Sequence, residues 1–66
     1  MKLNLAYIHE RRKALGITID EMAKAFGLKN GSTYWKYEHG DYTFDANMLP
    51  IMAKKLKCSI NDFYTQ

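Results

Sequence analysis

Apolar side chains along this chain recur at helical rather than strand spacing, in short pieces divided by Gly16, Gly27, Gly31 and Gly40. In LNLAYIHERRKA, residues 3–14, one face carries Leu5, Ile8, Arg12 and then Leu15, and Gly16 supplies the stop. In TIDEMAKAF, residues 18–26, Ile19, Met22, Ala23 and Phe26 follow the i, i+3, i+4, i+7 pattern of an amphipathic helix. Thr18 and Glu21 have the spacing of a capping box, in which two side chains satisfy free backbone N–H groups at a helix start. Gly27 ends that helix.

The next stretch, KNGSTYWKYEHG over residues 29–40, carries two opposed signals. Asn30-Gly31 is a strong hairpin turn signal, and Thr33, Tyr34, Trp35 and Tyr37 are strand formers. A hairpin needs a strand on each side, however, and the residues before Asn30 belong to a helix and its stop. Helix therefore wins over residues 31–38, with Asn30 or Ser32 as cap and Gly40 as the left-handed exit. Tyr34 and Tyr37 then face inward, and Ser32, Trp35 and Lys36 face outward.

DYTFDA, residues 41–46, reads as a loop. In NMLPIMAKKLK, residues 47–57, Leu49, Met52, Ala53 and Leu56 keep helical spacing. With Asn47 as cap, Pro50 falls in the first turn, where its missing N–H costs little; a start at Asp45 would leave it as a kink. Ser59 and Asp62 resemble a further capping pair, opening a short helix that buries Ile60 and Phe63. The pattern predicts an all-α fold of five short helices.

Sixty-six residues make a single domain, 1–66, with room for one core and little more, which favours a protein that acts through its surface. Cys58 is alone, so no internal disulfide is expected, and with His9 and His39 far apart in sequence no metal site is expected. No apolar run approaches membrane-spanning length and there is no signal-peptide core, so a cytoplasmic location is expected. A net charge of +3 with pI near 9.1 suits a polyanionic partner, though only weakly. No nucleophile–base pair, phosphate-binding glycine loop or carboxylate pair can be assembled, which removes an enzyme, and with it a cofactor, from the expected functions.

Taken in order, RKALGITIDEMAKAFGL, STYWKYEHG and LPIMAKKLKCSINDFY resemble the lambda-repressor-like (XRE/Cro) helix-turn-helix family over roughly residues 5–64. The matching positions are Arg12, Gly16-Ile17-Thr18, Met22-Ala23, Gly27-Leu28, Ser32-Thr33-Tyr34, Tyr37-Glu38-His39-Gly40, Leu49, Met52-Ala53, Leu56, Cys58-Ser59 and Phe63. The resemblance implies a compact five-helix domain in which helix 3 enters the major groove of double-stranded DNA while helix 2 lies over the phosphates. Small Ala23 would let helix 3 pack closely on helix 2, and Gly27 would allow the sharp turn between them. Three departures stand out. One residue more than usual lies between Gly27 and Gly40; Ile19 stands where the family has a Gln that touches phosphate and braces helix 3; and Asp41 and Asp45 occupy a loop that is often basic.

By this resemblance Thr18, Lys29, Asn30, Ser32, Thr33, Trp35, Lys36, His39, Tyr42 and Thr43 are the candidate DNA-contacting residues. Lys36 would donate to guanine or phosphate, and Trp35 would pack on sugar or a thymine methyl. The plainer alternatives are a solvated Lys beside a Trp at a core edge or dimer contact, and capping alone for Asn30 and Ser32. For His39, C-capping is favoured over a phosphate contact. The resemblance also implies that Arg12 and Glu38 form a structural ion pair, which answers the need of an Arg on an apolar helix face for a partner. Cys58 reads as buried and inert. The expected function is a small sequence-specific repressor of phage or mobile-element type, acting at the nucleoid as a homodimer that forms on DNA or through Ile60, Phe63 and Tyr64. The competing class is a protein-interaction module or antitoxin-like regulator that keeps the fold.

Overall fold

The computed structural model describes residues 2–64. Four α-helices are followed by a 3-10 helix: α1 is Leu5–Ala14, α2 Ile19–Ala25, α3 Gly31–Glu38 and α4 Met48–Lys55, and the 3-10 helix is Ile60–Tyr64. No strand occurs among the described residues. The fifth element is thus a 3-10 turn, the tighter geometry that short segments adopt.

Each start has a local cause. The Asn4 side-chain oxygen accepts the Tyr7 N–H at 2.9 Å, which places the start of α1 at Leu5, two residues later than the apolar pattern suggests. Ahead of α2 both halves of the capping box form: the Thr18 hydroxyl accepts the Glu21 N–H at 3.1 Å, and the Glu21 carboxylate accepts the Thr18 N–H at 2.9 Å. Asn30, not Ser32, caps α3, accepting the Thr33 N–H at 3.2 Å. Asn47 holds the cap position of α4 but makes no capping bond; the Asp45 carboxylate instead accepts the Asn47 N–H at 2.9 Å and fixes the approach. Pro50, third in the helix, replaces an N–H that no helical carbonyl would have met.

All four α-helices close alike. The second residue past the last turn bonds back five positions and the first bonds back three, as in Leu28 N–H to Ala23 O at 2.9 Å and Cys58 N–H to Ala53 O at 3.0 Å. That closure puts one residue in the left-handed region. It is glycine after α1, α2 and α3, but Lys57, at φ +54°, after α4.

The core joins Ile8, Met22, Tyr34, Met52, Leu56 and Phe63, all fully buried, with Ala23, Phe44, Met48 and Ala53 close behind. Phe26 stacks on Tyr34 at 5.8 Å, and Phe44 meets the Tyr34 edge at 6.2 Å. Phe44 arrives from the loop that the spacing leaves without an inward face. Phe63 packs against Tyr7, and the Asn4 N–H bonds the Phe63 carbonyl at 2.6 Å, tying the N-terminal approach to the 3-10 helix. Ile60, expected inside, is 38% exposed: the short turn has one inward position, and Phe63 takes it.

Candidate nucleic-acid interface

What orients α3 is a polar cluster at its C-terminal end. Arg12 Nε donates to Glu38 Oε2 at 2.9 Å and Nη2 to Oε1 at 3.1 Å, a two-pronged pair with Glu38 only 4% exposed. The third guanidinium nitrogen donates to the Ile17 carbonyl at 2.9 Å, so Arg12 ties α1, the turn before α2 and the end of α3 together. His9 is a third member that the sequence pattern does not flag. Its Nδ1 lies 2.6 Å from Glu38 Oε1, and since a carboxylate only accepts, Nδ1 carries the proton. Burial would raise the Glu38 carboxyl, but hydrogen bonds from Arg12 and His9 outweigh it and hold the group below the usual carboxylate range. Beside it, burial and the Glu38 carboxylate push the Tyr34 phenol far up; its hydroxyl is enclosed without a well-aligned partner.

At the other end of α3 the chain passes hard against α2. A side-chain carbon on Gly31 would stand 2.9 Å from Ile19 Cγ2 and collide with the Asp20 carboxylate. Gly31 is therefore glycine for lack of room, not for turn conformation; its φ is not among the positive ones. Ile19, in place of a hydrogen-bonding Gln, meets α3 by direct apolar packing. The close approach brings Ile19, Asp20, Asn30, Gly31, Ser32 and Trp35 around one shallow depression of about 380 Å³. Asp20 is the unexpected member, because its place in the first turn of α2 already has a local reason in the helix dipole.

On the outer face, Ser32, Trp35 and Lys36 are exposed, and Thr33 is half-buried. Lys29 and Asn30 are exposed at the entry to α3, Asn30 accepting from both the Thr33 backbone and, at 3.4 Å, its hydroxyl. Trp35 stacks on His39, ring centres 3.8 Å apart and 20° from parallel, and His39 Nδ1 donates to the Trp35 carbonyl at 3.0 Å. Lys36 Nζ stands 5.5 Å from the Tyr42 ring centre, and Tyr42 rests edge-on against Tyr37 at 5.3 Å. A cation–π contact thus draws Lys36 toward the loop after α3. Thr43 is exposed beside it, while Thr18, also exposed, has its hydroxyl oxygen engaged in the capping box. Two acidic residues lie close by: Asp20 borders the depression with Asn30 and Trp35, and the Asp41 N–H bonds the Lys36 carbonyl at 2.8 Å.

An all-helical domain that braces one helix from behind, presses its start against the preceding helix and leaves its outer face bare is a helix-turn-helix DNA-binding domain. The family model described as helix-turn-helix matches residues 8–63, and the chain belongs to that family, of the lambda-repressor type. Its domains are DNA-binding regulatory modules and not typically enzymes. Comparison with curated proteins and with solved structures returned no match. Among the described residues no helix is long and apolar enough to cross a membrane.

Proposed function

We propose that residues 1–66 act as one domain, a sequence-specific regulator of double-stranded DNA that represses transcription with α3 in the major groove. The observation that carries this reading is the exposed row Ser32, Trp35 and Lys36 on a helix held by the buried Arg12–Glu38 pair. Ser32, Thr33 and Lys36 read base edges; Trp35 covers a sugar or a thymine methyl. Thr18, Lys29 and Asn30 grip phosphate at the helix starts, and His39, Tyr42 and Thr43 line the strand beyond. One such module makes few base contacts, so two copies bind paired half-sites as a homodimer assembled on DNA, at the nucleoid.

The test is an amide-shift titration with a mixed-sequence duplex at low and moderate salt, followed by selection of a binding site from random duplexes. Shifts at residues 18–20 and 29–36 that fade with salt, and a palindromic selected site, are expected. Silence at those residues in both salts would overturn the reading.

A further inference from the structure

A second surface has no part in the DNA reading. Leu15 and Ile17, either side of the turn after α1, and Ile51 of α4 floor an open groove of about 660 Å³ rimmed by Lys54, Lys55 and Lys57. No residue of α3 and no acidic side chain lines it. Ile51 is 42% exposed on the floor, one of four large apolar side chains so uncovered among the described residues. We propose that this groove docks an acidic amphipathic helix of a partner protein.

Two independent features support that occupant. The first is complementarity. An apolar floor beneath three ammonium groups matches a helix with leucine-like side chains along one stripe and carboxylates on its flanks. A phosphate backbone answers the lysines but offers nothing apolar to cover Ile51. Glu21 is close enough to Lys55 to feel its charge, yet lies outside the lining, so the rim stays cationic. The second feature is Lys57 itself. It sits in the left-handed position that the other three α-helix exits give to glycine, where a side chain crowds the following carbonyl. Arg11 secures the strained turn, donating from Nε to the Leu56 carbonyl at 2.9 Å and from Nη2 to the Lys57 carbonyl at 3.1 Å. Strain held where glycine would relieve it points to a use for the side chain, and the rim supplies one.

The experiment titrates the isotope-labelled 66-residue chain with three probes. They are a synthetic helical peptide with leucines at i, i+4 and i+7 and glutamates between, its lysine-for-glutamate counterpart, and a mixed-sequence duplex. The glutamate peptide is expected to shift amides around residues 15–17 and 51–57 in a saturable way. Ile51→Asp should weaken it about tenfold. Lys57→Gly should weaken it roughly two- to fivefold while raising the melting temperature, which separates the role in binding from any role in folding. The proposal fails if the glutamate peptide leaves those amides unmoved, or if the lysine peptide binds equally well. It fails too if the duplex alone moves them, or if Lys57→Gly binds the peptide as the parent does.

Discussion

Glu38 concentrates more of the architecture than any other side chain: two prongs of Arg12 and the His9 imidazole converge on one buried carboxylate. Taking away one member leaves its partner charged and enclosed, which in buried pairs costs about 3–5 kcal/mol. Glu38→Gln and Arg12→Met should each lower unfolding free energy by about that range in urea titrations, whereas His9→Ala, at a half-exposed position, should cost about 1 kcal/mol. The pair also sets an acid limit. Because the Glu38 carboxyl is held below the usual carboxylate range, its contribution is complete above the unfolded carboxylate's range and drains away as pH falls through the depressed folded value. Unfolding midpoints measured from pH 6 to pH 2 should therefore fall less steeply in Glu38→Gln than in the parent. A residual slope should remain from Glu21, which its bonds with Thr18 also hold low. In the sequence, Arg12 drew attention because a guanidinium on an apolar face demands an answer. His9 lay at the edge of that face and made no such demand, so only the fold reveals it.

At the level of elements, capping chemistry was the most legible part of the chain. Thr18 and Glu21 mark the start of α2, and lack of a partner strand was enough to reject the hairpin at Asn30-Gly31 and recover α3 with its observed ends, Gly31–Glu38. What stayed hidden depended on distance between elements. Nothing local distinguishes a glycine needed for conformation from Gly31, needed for space, and Phe44 enters the core from a loop that has no period to read. The start of α4 falls where the sequence places it, after Asn47, but without the capping bond: the Asn47 backbone is already helical, and the Asp45 carboxylate accepts the Asn47 N–H from two residues earlier. The candidate interface was legible as a face, since Ser32, Trp35 and Lys36 share it; its acidic neighbour Asp20 was not. The α3 cap gives an element-scale prediction. Asn30→Ala should lose about 1 kcal/mol in thermal unfolding, and Asn30→Ser should recover nearly all of it. If the proposed phosphate grip by Asn30 is right, Asn30→Ser should still bind DNA less tightly at equal helicity.

For the molecule as a whole, the decisive quantity is how little positive charge the proposed DNA face commits. Lys29 and Lys36 are its candidate cations, while Asp20 lines the depression beside Asn30 and the Asp41 N–H bonds the Lys36 carbonyl. Each phosphate neutralised contributes about −0.9 to the slope of log affinity against log salt. Binding isotherms over a salt series should accordingly give a shallow slope, about −2 per protomer. Asp41→Asn should tighten binding roughly two- to fivefold at low salt, with the gain shrinking as salt screens it. A slope several times steeper would mean that phosphate contacts extend well beyond the residues named here. Three of the other six lysines, Lys54, Lys55 and Lys57, are gathered at the end of α4 around an apolar floor, a second cationic surface.

The Trp35–His39 stack has a consequence for observation. Trp35 is the only tryptophan in the chain, 46% exposed on the outer face of α3, with one face of its indole covered by the imidazole. Its emission therefore needs no label to report from the helix proposed to enter the groove. Docking of a duplex would cover the open side of the ring, and unfolding would strip the imidazole away, two events that change the surroundings of the fluorophore in different ways. A single fluorescence cuvette can follow both occupancy and integrity of α3.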